Sequence, residues 1–129
     1  MSQIKIYGLK SHLDEVKAEL SRVIHGCVVE VLKMPANKRF HRFIGLDAAD
    51  FIYPEDRSEA YTIIEIMMMT GRTEATKKAL IQALFREISA QLPITVNDLE
   101  ICILESPPAN WGFRGKTGDE IQLNYKVEV

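Results

Sequence analysis

The chain has 129 residues, of which 47% are apolar and 26% charged, and its formal net charge at pH 7 is -2. This size suits one domain with a real hydrophobic core, so residues 1–129 are treated as a single domain. The small net charge, the absence of a signal-peptide pattern and the absence of a membrane-length apolar run predict a cytoplasmic protein that binds neither nucleic acid nor membranes.

The first half of the sequence predicts a β-α-β unit. Residues 3–7 alternate between apolar and polar, as in a half-buried strand. Ser11 followed by Asp14 resembles a capping box, and an apolar stripe at steps of three and four then predicts a helix over residues 13–34, ended by Pro35. Residues 40–46 are expected to form the second strand, and residues 47–60 a connecting loop.

The same order of elements recurs from residue 61. Residues 61–69 are a nearly unbroken apolar run, which predicts a central strand covered on both faces. Thr73 is placed to cap a second helix that ends before Pro93, and residues 98–105 alternate as a fourth strand. The order indicates an internal duplication, roughly residues 1–60 and 61–129.

Two amphipathic helices and four strands predict an α/β (α+β) fold, a four-stranded sheet with both helices on one face. Because the strand over residues 61–69 is apolar on both sides, other copies of the chain are expected to cover the second sheet face. The alternative is that the run Met67–Met69 packs inside the monomer. Residues 126–129 are expected to add a strand to a neighbouring copy.

Cysteines and histidines give no sign of a metal or redox site. Cys27 and Cys102 lie far apart and are expected to be reduced and buried. His12, His41 and the scattered carboxylates show no ligand spacing, so no metal is expected.

Four short motifs carry a family resemblance. They are His25-Gly26, Pro35-Ala36-Asn37 followed by Arg39-Phe40, the Gly71-Arg72-Thr73 turn followed by Lys77, and Asn110-Trp111-Gly112-Phe113. Together with the element order, they resemble the tautomerase superfamily, and most closely its malonate semialdehyde decarboxylase group, over essentially the whole chain. The resemblance implies a MIF-like homotrimer of fused β-α-β units that uses no cofactor and has its active site at the start of the first strand.

At the residue level, the resemblance implies a partial site. The resembled family uses an N-terminal proline, freed by loss of the initiator Met, as acid or base; here that position is Ser2. Arg72 matches one of two arginines that hold a substrate carboxylate, while the partner position falls on Met69 or Thr70. Lys38 stands where the decarboxylase group has an acidic residue, so decarboxylation is not expected.

The resemblance also implies substrate contacts for His25, Trp111 and Phe113. Each of these residues has a structural interpretation as well. His25 suits a buried structural histidine, Arg72 suits a solvated turn residue, and Trp111 and Phe113 suit core or interface anchors.

Two functions therefore stay open. If Met1 is removed, the Ser2 amine could act as a base or form a Schiff base, which predicts a weak keto-enol tautomerase, an isomerase acting on a small carboxylated substrate. Alternatively, the family residues lost at Ser2, at Lys38 and beside Arg72 indicate a non-catalytic trimer that binds a small anion or serves as a structural or interaction protein.

Overall fold

A computed structural model describes residues 2–121, 123 and 125–129. Its main body consists of strands β1 (Ser2–Leu9), β2 (His41–Leu46), β3 (Thr62–Met69) and β4 (Leu99–Ser106), with helices α1 (Lys10–Leu32) and α2 (Glu74–Gln91). A short hairpin of β5 (Gly112–Phe113) and β6 (Lys116–Thr117) follows β4. The predicted four-stranded sheet with two helices on one face is confirmed.

The strand order of the sheet is β2-β1-β3-β4. β1 and β2 are parallel, β3 and β4 are parallel, and β1 and β3 pair antiparallel at the centre. Each half of the chain thus contributes one parallel β-α-β unit. As a consequence, β1 and β2 begin at the edge where β3 and β4 end. We call this edge, marked by Ser2, His41, Met69 and Ser106, the Ser2 edge.

The core lies between the sheet and the two helices. Alternate residues of the central strands point toward the helices and are fully buried, and both helices direct their apolar stripes onto them. Each such side chain contributes roughly 1.5 to 3 kcal/mol of burial free energy. The largest fully buried members are Ile4, Ile6, Leu13, Leu20, Ile24, Leu32, Ile64, Ile66, Met68, Leu80, Leu84 and Ile88.

The second sheet face is open in the single chain. Met67 of β3 is 37% exposed and Leu104 of β4 is 41% exposed, and Glu65 lies between apolar neighbours on the same face. Of the Met67–Met69 run, Met68 and Met69 are buried within the chain. The run is therefore divided between the core and the open face, and coverage of that face by other copies stays a prediction.

The start of α1 differs from the prediction. The helix begins at Lys10, directly after β1, and its N-cap residue Leu9 makes no side-chain capping bond. Ser11 consequently falls inside the first turn, and the predicted capping box is wrong. Asp14 instead accepts from Lys10 Nζ at 2.8 Å and from Lys17 Nζ at 3.0 Å.

One smaller prediction is also corrected. Cys27 is buried, but Cys102 is exposed, because β4 directs it to the open face. In the single chain, residues 126–129 form no strand, and Val129 accepts a hydrogen bond from Thr73 N of the same chain; the addition of these residues as a strand to a neighbouring copy stays a prediction. Neither helix of the described part of the chain is long and apolar enough to cross a membrane.

Candidate functional site

Three of the predicted site residues, Ser2, Arg72 and Trp111, lie on segments that meet at the Ser2 edge. Ser2 opens β1 and is the register partner of Met68. Arg72 follows the end of β3 by three residues. Trp111 is tied to the end of β4, because its Nε1 donates to the backbone oxygen of Ser106 at 3.2 Å. The sheet topology therefore brings together Ser2 and Trp111, which are far apart in the sequence.

Ser2 is only 4% exposed and points toward the helices, like Ile4 two residues later. Its hydroxyl donates to Met34 Sδ at 3.4 Å. The hydroxyl is thus directed into the core and engaged there. A reacting group at this position is consequently the backbone nitrogen of Ser2, which is an amine only after removal of Met1; Met1 lies outside the described residues.

Arg72 is 5% exposed, so its interpretation as a solvated turn residue is wrong. Its Nη1 donates to the backbone oxygen of Met69 at 3.2 Å, whereas its buried Nε and Nη2 have no acceptor among the described residues. Burial lowers the pKa of the guanidinium, against the fields of Tyr125, Glu105 and Glu128. Because arginine keeps its charge in proteins, this is a buried cation with donors to offer.

The turn that carries Arg72 leads directly into α2. Gly71 has φ +140°, a conformation that favours glycine. Thr73 is the N-cap of α2, as predicted, and its Oγ1 accepts from Thr76 N at 3.1 Å. The amide groups and the dipole at a helix N-terminus favour an anion, and Arg72 lies immediately before this one.

Carboxylates partly balance the positive charge around Arg72. Lys77 Nζ lies 2.8 Å from Glu105 Oε1, and both side chains are about a quarter exposed. Glu105 and Glu128 are also the acidic groups whose fields act on Arg72. The site is therefore not a strongly positive patch, so an anion gains most from directed hydrogen bonds there.

Residues 125–129, which we call the C-terminal strap, cover the turn. The backbone oxygen of Val129 accepts from Thr73 N at 3.0 Å and from Thr76 Oγ1 at 2.9 Å. Val127 is buried against Gly71, where a Cβ at residue 71 would lie 2.8 Å from Val127 Cγ1. No sequence motif predicts this contact, because the strap and the turn meet only in the folded chain.

His25 is buried and holds the loop that follows α1. Its Nε2 lies 2.7 Å from the backbone oxygen of Ala36, and its ring packs edge-to-face on His41 at 6.1 Å. His41 Nδ1 in turn lies 2.8 Å from Ser21 Oγ. Burial, together with the charges of His25 and Arg39, lowers the pKa of His41 to about 4. These contacts give His25 a structural role, and its contact with substrate stays a prediction.

Trp111 and Phe113 are both half-buried at the start of the hairpin. The Trp111 backbone oxygen accepts from Gly118 N at 2.7 Å, and the Arg114 guanidinium lies 5.3 Å from the centre of the Phe113 ring. Trp111 is thus held at the Ser2 edge by both its side chain and its backbone. Across residues 2–121, 123 and 125–129, no three His, Cys, Asp or Glu side chains are grouped to hold a metal ion.

Comparison with known proteins identifies the family. A family model described as tautomerase enzyme matches residues 38–114, which is more than half of the chain. This chain belongs to the tautomerase superfamily. The match includes β2, β3, α2 and β4, the Arg72 turn and the Trp111 segment.

Individual relatives of this tautomerase-superfamily chain agree with that assignment. The probable tautomerase YusQ of Bacillus subtilis (strain 168) is 25% identical over 111 residues, 81% of this chain and 87% of the relative. The 2-hydroxymuconate tautomerase of Pseudomonas putida is 33% identical over 57 residues, 44% of this chain and 90% of the relative.

Solved structures show the same fold. FG41 malonate semialdehyde decarboxylase, inhibited by 3-bromopropiolate, has a TM-score of 0.80 and 26% identity, covering 94% of this chain and 98% of that one. The R7 fused 4-OT, an asymmetric trimer, has a TM-score of 0.80 and 25% identity, with 92% and 97% covered. Pt0534, inactivated by 2-oxo-3-pentynoate, has a TM-score of 0.82 and 20% identity, with 93% and 99% covered.

Proposed function

We propose that this tautomerase-superfamily chain is a keto-enol tautomerase that acts on a small carboxylated substrate and uses no cofactor. The observation that carries the proposal is Arg72, a buried guanidinium whose Nε and Nη2 lack acceptors within the described part of the chain. A buried charge with unmade hydrogen bonds is costly unless an anion accepts from it. A carboxylate matches the planar fork of arginine with two oxygens.

The proposed base is the α-amine of Ser2 after removal of Met1, which a small second residue permits. An α-amine has a lower intrinsic pKa than a lysine side chain, and burial beside a cation lowers the pKa further. As a neutral amine it takes a proton from one end of the keto-enol system and returns a proton to the other. The Ser2 edge places this nitrogen at the same end of the sheet as Arg72.

The remaining site residues complete the proposed pocket. Trp111 and Phe113 supply an apolar wall, and His25 orients the 35–37 loop and contacts the substrate from the helix side of the sheet. Lys38 stands where the resembled decarboxylase group has an acidic residue, so its charge is reversed and we expect turnover of malonate semialdehyde by decarboxylation to be near background. The assembly that we propose is a homotrimer, in which other copies cover the open face.

The test is ketonisation of phenylenolpyruvate by protein whose intact mass shows that Met1 is absent. We expect turnover above buffer for the wild type and loss of most of it in Arg72→Met. Arg86→Met is the matched control, because Arg86 is an exposed arginine of α2 that pairs with Glu87. Equal activity in wild type and Arg72→Met would contradict the proposal.

A specific observation favours a second function, that of a non-catalytic anion-binding protein. Ser2 replaces the secondary amine of the resembled family, and its side chain is used in the core contact with Met34. The same fold with the same Arg72 would then bind a carboxylate without turning it over. Arg72-dependent binding of malonate by processed protein that shows no turnover of phenylenolpyruvate would establish this alternative.

A further inference from the structure

The C-terminal strap is fixed to the turn by few interactions. Its backbone anchor is the single oxygen of Val129, which accepts from Thr73 N and Thr76 Oγ1. Tyr125, at the start of the strap, packs against the hydrophobic core. Beyond it, the apolar anchor is Val127, which is 7% exposed against Gly71. Within the described residues, residues 127–129 are thus held to the turn by two anchors, few enough for a bound ligand to compete with them.

The strap uses a donor that an anion at Arg72 would also use. Thr73 N is the backbone amide next to Arg72. It lies at the N-terminus of α2, where backbone donors and the helix dipole attract negative charge. In the structure this donor is satisfied by Val129. A ligand carboxylate that bonds both Arg72 and Thr73 N must therefore displace the backbone oxygen of Val129.

The strap also restricts access to Arg72. The guanidinium is 5% exposed, and Tyr125 and Glu128 of the strap are two of the three groups whose fields act on it. Solute cannot reach a side chain buried to this extent without movement of its cover. An entering carboxylate would in addition repel Glu128, since like charges in a partly buried setting destabilise one another.

We propose that the strap is a gate, which covers Arg72 in the ligand-free protein and is displaced when a small carboxylate binds. The inference rests on the carboxylate site of the proposed function and adds its regulation. Binding and strap closure compete for one donor, Thr73 N, so loosening the strap strengthens binding, and binding loosens the strap. No new covalent step is involved.

The experiment uses malonate, an unreactive dicarboxylate, as the probe of the full chain. Thr76→Val removes the hydroxyl donor to Val129 at nearly constant size, and Thr76→Val with Val127→Ser weakens both anchors. We expect these variants to bind malonate more tightly than wild type, by roughly fivefold for one lost hydrogen bond. Thr95→Val is the matched control, because Thr95 is exposed and precedes β4 at the opposite edge of the sheet.

Hydrogen exchange supplies the second measurement. We expect malonate to accelerate amide exchange of residues 127–129 in wild type, and Arg72→Met to abolish both this effect and the binding. If malonate bound to the strap variants but not to the wild type, the gate would also be supported, because malonate would then be too weak a ligand to displace the intact strap.

Two results would overturn the inference, and only the first of them is compatible with the proposed carboxylate site. Arg72-dependent binding with unchanged strap exchange and equal affinities in all strap variants would make the strap a fixed cover, while the proposed carboxylate site would stand. Absence of Arg72-dependent malonate binding in every variant would remove the gate together with the proposed carboxylate site.

Discussion

Arg72 is a buried cation, and most of its hydrogen-bond donors have no acceptor within the described residues. A guanidinium offers five donors, and within the described residues Met69 alone accepts from this one. Leaving charged donors unmet in a buried position costs stability, and this cost recurs at sites that bind a complementary ligand. The hydrogen bond from Nη1 to the backbone oxygen of Met69 holds the guanidinium in this position. These unmet donors are the basis on which we propose a carboxylate ligand for Arg72.

At Ser2, a single replacement tests whether the pocket retains its chemistry. Ser2→Pro with Met1 removed should create or strongly raise turnover of phenylenolpyruvate, because a constrained secondary amine replaces the primary one. Proline is tolerated at the first residue of a strand, which is the place of Ser2 in β1. Steady-state kinetics of the two processed proteins provide the comparison.

The control for that replacement is Ser2→Pro combined with Arg72→Ala. It should lose most of the gain, because the carboxylate anchor contributes roughly 1.5 to 3 kcal/mol as a charged hydrogen bond. Processed Ser2→Pro protein without turnover above buffer would show that the pocket has diverged beyond one residue and would favour the binding function.

The lowered pKa of His41 predicts that the free energy of unfolding depends on pH. Its pKa lies at about 4 in the fold, against 6.5 for the unperturbed side chain. Below pH 6.5 the unfolded chain therefore binds a proton that the folded chain resists, and stability falls as the pH drops toward 4. The groups that face it are His25 and Arg39, whose charges act in the same direction. Urea unfolding at a series of pH values should show this loss.

The matched variant for that prediction is His41→Gln, which keeps a polar group opposite Ser21. Carboxylates titrate in both proteins, so the difference between the two curves isolates the histidine. The wild type should lose more stability than His41→Gln between pH 6.5 and 4. Parallel curves would contradict the lowered pKa.

Predictions that rest on the apolar periodicity of a whole element agree with the structure. The alternation in β1, the apolar stripe of α2 and its Thr73 cap are local features, and each is confirmed. The start of α1 is set instead by direct continuation from β1, so the capping pattern at Ser11 has no effect. The strap depends on contacts with the distant Arg72 turn, and local patterns could not predict it. The β5–β6 hairpin is local, with positive φ at Arg114 and Gly115, but its two-residue strands are too short to give a periodic signal.

Replacing Ser11 and Thr73, the two residues predicted to cap helices, measures the difference between the starts of α1 and α2. Thr73→Ala removes the acceptor for Thr76 N, and we expect a loss of about 1 kcal/mol in the free energy of unfolding. Ser11→Ala should change it by less than about 0.5 kcal/mol, because α1 has no side-chain cap. Urea denaturation measures both. Equal losses, or a larger loss for Ser11→Ala, would contradict this account of the helix starts.

For the whole molecule, the antiparallel pairing of two β-α-β units explains why Ser2, Arg72 and Trp111, which the sequence predicts to share a site, lie at the same end of the sheet. The motifs around Ser2, Arg72 and Trp111 pointed to one active site, and the topology brings these residues to one edge of the sheet. Burial was not predictable, because it depends on packing. The sequence allows Arg72 to be a solvated turn residue, and no local pattern indicates that Met34 accepts from the Ser2 hydroxyl or that the strap covers the turn.

The open sheet face predicts assembly. Light scattering at micromolar concentration should give about three chain masses, each of 14.7 kDa. Leu104→Glu places a charge beside the exposed Met67 of this face and should lower the measured mass. Ile52→Glu is the control, because Ile52 is a large exposed apolar residue in the loop before β3. A monodisperse monomer of the wild type would refute the shared-sheet assembly.

The central claim is that the amine of Ser2 and the guanidinium of Arg72 belong to one site. 2-Oxo-3-pentynoate tests it directly, because it carries a carboxylate for Arg72 and an alkyne conjugated to a ketone. The amine nitrogen adds to the alkyne, whose triple bond becomes a double bond as the neighbouring carbon takes up a proton. Peptide mass spectrometry of the treated wild type should locate one adduct on the peptide that begins at Ser2, and Arg72→Met should lack it. Labelling elsewhere, or labelling of Ser2 that is unaffected by Arg72→Met, would contradict the account.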